Sequence, residues 1–341
     1  MKKLKITTLL ETIRTTSFQG LVHLESGSDT SLHVESGLSD IPGDKPVKDN
    51  IAFAVASGTK FLTALAVLKL VAEGRTSLET YVESIVSDIK GLYDPRITVR
   101  HLLSHTSGMP DYFDEDSDEG IDLPNDRLEK PSDFVSLFPK EPMRHAPGER
   151  FIYNNQGFVI LALVIEALTG KAYSAIINEH LLKPLGITES GIFHLDRLPA
   201  HAAKGYVKTD QGMVENIGKV PAMSGGDGGA YMTLEDMKRL YEAFFKGEIV
   251  PMDLVTEAIR VQTLTSDKGT SAYGLGIWLE REKNDGPWIP TLYGGDPGIS
   301  FTSSYDPLSK TFGYAVSNTS DDVWTIHQAF KAALWEIIGR T

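Results

Sequence analysis

The chain has 341 residues, a formal net charge of -13 and no cysteine. An acidic surface repels phosphate backbones and anionic lipid headgroups, so we expect neither nucleic acid nor membrane as a partner. The lack of cysteine excludes disulfides, thiolate metal sites and a cysteine nucleophile, and the length suffices for roughly two domains of common size.

The N-terminal segment starts with basic residues, but its apolar run is short and is followed at once by Glu11 and Arg14. This pattern does not fit a signal peptide, and we interpret residues 2–16 as an amphipathic helix. The longest apolar stretches, near Phe61–Leu68 and Phe158–Ile165, are shorter than the ~20 residues that a membrane span needs. We therefore expect a soluble, cytoplasmic protein.

The remaining elements follow from apolar periodicity and from turn residues. Strands are predicted at Gly20–Glu25, Ser31–Glu35, Tyr273–Glu280, Trp288–Tyr293, Ser300–Tyr305 and Thr311–Ser317. Longer helices are predicted at Ser57–Glu73, Phe158–Leu168, Leu234–Phe245 and Asp322–Ile338, with short helices through 75–200 and an acidic loop at Asp111–Asp126.

Strands at both ends of the chain and helices in its middle predict an α+β fold. An antiparallel sheet would be assembled from both termini, flanked by the first and last helices, with an all-helical domain inserted. We place the sheet domain at residues 1–55 and 222–341 and the helical domain at 56–221, with the active site in the cleft between them.

Ser57 and Lys60 lie three positions apart at the start of a predicted apolar helix. On a helix this spacing brings both side chains to one face, and a serine hydroxyl needs a base to become a nucleophile. Apolar surroundings disfavour the ammonium form, as a general base requires, and the backbone N–H of Ser57 at the helix start is a donor for an oxyanion. The alternative is a Lys60 that only reaches solvent, and Ser87 and Lys90 repeat the spacing in a polar stretch.

Two further segments carry residues suited to the same chemistry. Tyr153 and Asn155 precede an apolar helix, where a phenol can relay protons and an amide can hold a substrate carbonyl; a buried tyrosine and a helix-capping asparagine are the alternative. The tandem glycines Gly294 and Gly295 lie in LYGGDPGISF between two predicted strands, where the backbone can approach a substrate closely. A plain hairpin turn explains this segment equally well.

In this order, the motifs resemble those of the penicillin-recognising serine hydrolases, which comprise class C β-lactamases, low-molecular-weight D,D-peptidases and related esterases. Ser57-Gly58-Thr59-Lys60 matches their Ser-x-x-Lys motif, and Tyr153-Asn154-Asn155 matches their Tyr-x-Asn motif. The segments HLLSHTSGMPDY, APGERFIYNN, GGAYMTLEDMKRL and YGLGIW add secondary similarities, so the resemblance covers about residues 18–338.

The resemblance implies that Ser57 is acylated, that Lys60 and Tyr153 share the acid and base work, and that Asn155 orients the substrate. The family's third motif, Lys-Thr-Gly or His-x-Gly, matches Leu292-Tyr293-Gly294, and the N–H of Gly295 would then be the second oxyanion donor. Shifting the match by one residue gives Tyr293-Gly294-Gly295. Neither version has the basic residue that helps to hold a substrate carboxylate in many relatives, and Asp296 adds a negative charge nearby.

No cofactor or metal ion is expected. His101 and His105 have a zinc-compatible spacing, but no third ligand accompanies them, and we interpret them as structural. The glycine-rich segment Ser224–Gly229 lacks the residues of a phosphate loop and is interpreted as a wall of the cleft.

Two classes of function remain. The first is a serine hydrolase that acts on an ester, amide or β-lactam of a small molecule or peptide, with esterase or peptidase activity favoured over efficient β-lactam hydrolysis. The second is a catalytically silent protein that binds penicillin or peptides. The sequence leaves the physiological substrate and the oligomeric state open.

Overall fold

The computed structural model describes residues 4–113 and 124–339, so most of the predicted acidic loop at Asp111–Asp126 lies outside the described residues. The α-helices are α1 Leu4–Thr15, α2 Thr59–Ala72, α3 Val99–Leu103, α4 Asn155–Thr169, α5 Tyr173–Ala175, α6 Leu234–Phe245, α7 Met252–Ala258 and α8 Asp322–Ile338. A π-helical segment, Ile176–Leu182, extends α5. Short 3₁₀ helices are Ala56–Gly58, Val82–Ser84, Ser87–Ile89, Asn125–Arg127, Pro131–Leu137, Lys183–Leu185 and Leu195–Arg197.

The strands are β1 Gly20–Ser26, β2 Asp29–Ser36, β3 Leu38–Asp40, β4 Lys45–Pro46, β5 Phe53–Ala54, β6 Gly191–Ile192, β7 Tyr206–Thr209, β8 Gly212–Glu215, β9 Ala230–Met232, β10 Thr263–Leu264, β11 Ser271–Tyr273, β12 Trp278–Glu280, β13 Ile289–Asp296, β14 Ile299–Asp306 and β15 Thr311–Ser317.

The main sheet has eight antiparallel strands in the order β10-β11-β12-β13-β14-β15-β1-β2. The N-terminal hairpin joins the C-terminal strands through β1 and β15, where Leu21 is opposite Val316. The predicted α+β fold, with an antiparallel sheet built from both ends of the chain, is therefore confirmed.

Successive side chains of a strand point to opposite faces of the sheet, and each face of this sheet contributes side chains to a buried core. Val22 and Leu24 of β1 contribute to a core that also contains Phe330 of α8. Leu21, on the other face, belongs to the larger core that contains Phe61 of α2. The helices that carry the candidate site thus pack against the opposite face of the sheet from the terminal helix α8.

Helix α4 runs through the helical region and is buried along most of its length. The side chain of Asn154 caps its start by accepting the N–H of Gly157 at 2.8 Å, and Gly170, with φ of 68°, ends it. In the part of the chain that the structure describes, no single helix has the length and apolar character to cross a bilayer. Only α4 taken together with 173–185 passes that test, and the two are bent by 81°.

The predicted strand Tyr273–Glu280 is wrong in one respect, since the structure has two strands there, β11 and β12, joined by a tight turn. Gly274 donates its N–H to the carbonyl of Ile277 at 2.8 Å, and Gly276 has φ of +76°. That left-handed conformation favours glycine and reverses the chain. The turn brings Trp278 to the edge of the candidate site.

Candidate active site

A sharp turn after β5 positions Ser57. Ala56 has φ of 44°, a left-handed conformation that non-glycine residues rarely adopt, and it is fully buried. The chain then enters the 3₁₀ helix Ala56–Gly58 and continues directly into α2, so the predicted helix start is a tighter turn than expected. As a result, Lys60 Nζ lies 2.9 Å from Ser57 Oγ.

The amino group of Lys60 has hydrogen-bond partners on several sides, and the residue is only 2 % exposed. Its Nζ also donates to Asn155 Oδ1 at 2.7 Å and to the carbonyl oxygen of Asp227 at 2.8 Å. The ring of Tyr153 has its centroid 4.9 Å from Nζ. An amine with this many fixed neighbours is positioned toward the serine oxygen instead of rotating freely.

The ring of Tyr153 contacts two other rings at the cleft. His105 lies on it with a centroid distance of 4.3 Å, and Trp278 stacks at 6.1 Å with an interplanar angle of 18°. His105 Nδ1 accepts the N–H of Asn154 at 3.1 Å, and the carbonyl of His105 accepts the N–H of Ile152 at 3.0 Å. His105 therefore fixes the backbone on both sides of Tyr153 as well as its ring.

His105 is fully buried, which lowers its pKa well below the ordinary value, and the nearby Lys60 lowers it further. Its imidazole is neutral, with Nδ1 as the acceptor, because that atom receives a backbone N–H. The other histidine of the predicted pair, His101, uses its Nδ1 to accept the N–H of Thr98. Both rings serve hydrogen bonds within the fold.

Asn155 stands at the first turn of α4, where a carboxylate fixes the backbone. Asp111 accepts the N–H of Asn155 at 2.6 Å and that of Gln156 at 2.9 Å. Burial raises the pKa of Asp111 to about 6, and the negative charge of Asp227 acts in the same direction. The amide of Asn155 meanwhile faces Lys60 through the contact described above.

The third wall of the cleft is strand β13. Gly294 approaches the turn at Ser57 so closely that a Cβ atom there would lie 2.0 Å from the carbonyl oxygen of Val55. Leu292 is 3 % exposed and belongs to the core, whereas Tyr293 lines the cleft. Burial raises the pKa of Tyr293 well above its ordinary value, so its phenol is neutral. No basic side chain occupies this part of β13.

These elements enclose a cleft of about 500 Å³. It is lined by Ser57, Asp111, Phe113, Arg144, Ile152, Tyr153, Asn155, Trp278, Tyr293, Gly294, Gly295 and Trp324. Six of the seven predicted site residues are in this lining, and the seventh, Lys60, contacts Ser57 from inside the protein. The other serine–lysine pair, Ser87 and Lys90, is exposed and is not part of the cleft.

Sequence reasoning missed several residues that hold the site in place. Asp111, His105 and the carbonyl of Asp227 contact Asn155, Tyr153 and Lys60, respectively, as described above. These pairs are separated by 44 to 167 positions in sequence, so local patterns do not reveal them. The available signals were the segment HLLSHTSGMPDY, which contains His105 and Asp111 and resembles a family segment, and Ser224–Gly229, which contains Asp227 and is predicted to be a wall of the cleft.

One group of side chains among the described residues has donor atoms close enough to hold a metal ion. It consists of His33, Glu35 and Asp49 and lies away from the cleft. Glu35 already accepts from Lys48 Nζ and from the N–H of Asp49, each at 2.9 Å. The cleft itself presents a hydroxyl, an amine, a phenol and backbone N–H groups, which suit acyl transfer.

Comparison with known proteins assigns the chain to one family. A profile described as Beta-lactamase matches residues 12–328. Penicillin-binding protein 4* of Bacillus subtilis is 28 % identical over 358 residues, which cover 99 % of this chain and 77 % of that protein. A penicillin-binding protein structure from Bacillus halodurans superposes with a TM-score of 0.87 at 31 % identity and covers 95 % of this chain and 99 % of that one.

A more distant structure shares the fold. The D-amino acid amidase of Ochrobactrum anthropi SV3, complexed with L-phenylalanine amide, has a TM-score of 0.81 at 20 % identity, with 99 % of each chain covered. At that identity the likeness concerns the fold alone. It shows that the same arrangement of sheet and helices occurs in proteins described as penicillin-binding proteins and as amidases.

Proposed function

The chain belongs to the beta-lactamase family of serine hydrolases, and on that basis we propose that it forms an acyl-enzyme on Ser57 and hydrolyses esters or amides in preference to β-lactams. The observation that carries the proposal is the 2.9 Å contact between Lys60 Nζ and Ser57 Oγ at the floor of an open cleft. A serine hydroxyl becomes an effective nucleophile when a fixed base lies within hydrogen-bond reach.

In the acylation step, the Ser57 hydroxyl loses its proton to Lys60 or Tyr153, and Oγ bonds to the substrate carbonyl carbon. The bond from that carbon to the leaving group then breaks, and the leaving group takes up the proton that the serine gave. Tyr153 supports this step because its ring lies against Lys60 and borders the same cleft as Ser57.

The negative charge that develops on the carbonyl oxygen needs donors, and the backbone N–H groups of Ser57 and Gly295 are our candidates. Their segments meet where Gly294 contacts Val55. Preorganised backbone donors of this kind are typically worth about 10²–10³ in rate each. A water molecule, deprotonated by the same base, would then attack the acyl carbon. The bond from that carbon to Ser57 Oγ breaks, Oγ takes the proton back from the base, and the acid is released.

The preference for esters and amides follows from charge. Substrates that carry a carboxylate beside the scissile bond gain from a cation on the third motif, and here Leu292 is buried and Tyr293 is a neutral phenol. Arg144 is a basic side chain on the cleft wall, but it lies on the loop that precedes Tyr153 and not on β13. The carboxylates of Asp111 and Asp296 border the reactive serine as well.

The proposal is tested by intact-mass spectrometry after treatment with a fluorophosphonate, together with turnover of a p-nitrophenyl ester and a chromogenic cephalosporin. We expect one covalent adduct in the wild type and in Ser87→Ala, which removes the serine of the exposed pair, and none in Ser57→Ala. We also expect the ester to be turned over faster than the cephalosporin. An adduct without any turnover would instead indicate a binding protein, and labelling of Ser57→Ala would overturn the proposal.

A further inference from the structure

We propose that the preferred substrates carry a free amino group on an apolar acyl moiety, with the ammonium bound by Asp296. This inference rests on the proposed acyl-enzyme at Ser57 and specifies which acyl groups that enzyme accepts. A second pocket opens on the same serine, and the side chain of Asp296 is part of its lining.

We call the cleft described above the aromatic cleft, because its lining includes Tyr153, Trp278, Tyr293 and Trp324. The second pocket has a volume of about 270 Å³ and is more enclosed. Its apolar lining includes Phe193, Leu195, Val220, Met223, Tyr231 and Ile299. Ser57 lines both spaces, whereas Tyr153, the candidate donor of a proton to the leaving group, lines only the aromatic cleft. The leaving group therefore belongs in the aromatic cleft, and the acyl group belongs in this apolar pocket.

The register of β13 places Asp296 in the lining of this acyl pocket. Side chains two positions apart on a strand point to the same face, so Asp296 shares the face of Gly294, which contacts the turn before Ser57. A Cβ atom on Gly228 would lie 3.7 Å from Asp296 Oδ2 and 3.9 Å from the carbonyl of Ala56. The carboxylate and the residue that precedes the nucleophile thus both lie near Gly228, which lines the same pocket.

Other acceptors border the same pocket. Asp227, which is 9 % exposed, lies beside Gly228 and accepts the hydroxyl of Tyr112 through Oδ2 at 2.6 Å. Asn125 also lines the pocket; it is 8 % exposed, and its Oδ1 has no hydrogen-bond partner among the described residues. Two carboxylates and an unsatisfied carbonyl oxygen favour a ligand that donates hydrogen bonds and carries positive charge.

One basic side chain in the lining, Lys219, does not cancel this preference. It is exposed on the loop that follows β8, where water screens its charge. Asp227 is buried and Asp296 is partly buried, so their charges act through less water. An amino group on the carbon next to the scissile carbonyl would reach the mouth of the pocket, while its apolar side chain would fill the space beyond.

The test measures how well small amides protect Ser57 from fluorophosphonate labelling, which requires binding but no turnover. The ligands are D- and L-phenylalanine amide, 3-phenylpropanamide, which lacks the amino group, and N-acetylphenylalanine amide, in which the amine is neutral. We expect at least one phenylalanine amide enantiomer to protect at a concentration about 10-fold lower than 3-phenylpropanamide does, as a charge-assisted hydrogen bond predicts. N-acetylation should abolish that advantage.

The variant Asp296→Asn should reduce the ratio between the two ligands to less than about threefold. Asp285→Asn, which neutralises an exposed carboxylate on the loop before β13, should keep the wild-type ratio. Equal protection by both ligands in the wild type, or an unchanged ratio in Asp296→Asn, would overturn the inference while labelling still supports the acyl-enzyme. If Asp296→Asn does not fold, the N-acetyl comparison in the wild type decides. Failure of Ser57 to be labelled at all would overturn the proposed function and this inference together.

Discussion

Replacing Gly294 with alanine tests whether the approach of β13 to the nucleophile turn creates the oxyanion site. The new Cβ would lie 2.0 Å from the carbonyl oxygen of Val55 and 3.2 Å from the Cβ of Ala56. Since Cβ atoms essentially never come within 3.0 Å of such a neighbour, the strand and the turn must separate by at least about 1 Å. A donor that was about 2.9 Å from the oxyanion would then lie beyond hydrogen-bond range.

Losing one oxyanion donor lowers the rate by about 10²–10³, or about 2.7–4 kcal/mol of transition-state stabilisation. We expect Gly294→Ala to lower the rate constant for acylation by a p-nitrophenyl ester by at least about 100-fold. Stopped-flow measurement of the nitrophenolate burst reports this step directly. Near-UV circular dichroism, recorded below the unfolding transition, shows whether the variant retains its tertiary packing.

The neighbouring glycine provides a matched control. A Cβ on Gly295 would lie 3.4 Å from the ring of Trp324, which is close to ordinary van der Waals contact. Gly295→Ala should therefore lower the acylation rate less than about tenfold, because its backbone can stay in place. If Gly294→Ala acylates within threefold of the wild type, or if the two variants lose the same amount, the close approach is not what builds the site.

Two further predictions concern buried groups around the cleft. His105→Leu removes the acceptor of the Asn154 N–H and one ring contact of Tyr153, so kcat should fall about 10-fold or more with little change in KM. His105→Gln keeps an acceptor and should recover part of that loss. Equal kinetics in both variants would contradict a positioning role. For Asp111, the folded-state pKa is raised from 3.8 to about 6, so the folded state binds the proton more tightly and stability falls as pH rises from about 4 to 6. Urea unfolding should show that the wild type loses about 2 kcal/mol relative to Asp111→Asn across that range, and parallel curves would refute the assignment.

The elements that sequence predicts well are those whose local pattern and packing agree. Helices Leu234–Phe245 and Asp322–Ile338 have the predicted bounds, since each has a clear apolar face and is bounded by turn or loop residues. The strand predicted at Tyr273–Glu280 is instead a hairpin, because Gly274 and Gly276 allow a reversal that apolar composition alone does not reveal. Local pattern recognises apolar segments better than it recognises tight turns between them.

In the candidate site, too, sequence predicts the local contacts and misses the long-range ones. The spacing of Ser57 and Lys60 already brings two side chains to one face, and their atoms lie 2.9 Å apart in the structure. The contact from Lys60 to the carbonyl of Asp227 spans 167 positions and depends on how the glycine-rich loop closes over α2. A backbone carbonyl has no sequence signature, so such a contact becomes visible only once the tertiary structure is known.

The altered third motif can be understood from the two separate tasks of strand β13. Its backbone lies against the turn at Val55 because residue 294 is glycine, and this approach does not depend on which side chain stands at 292. Leu292 points into the core, so the loss of a basic residue there leaves the backbone geometry intact. The side chains of β13 that line the two pockets differ from a basic residue in charge, since Tyr293 in the aromatic cleft is neutral and Asp296 in the acyl pocket is acidic. A strand of this kind can keep the acyl-transfer chemistry while its substrate preference moves from anionic toward cationic groups.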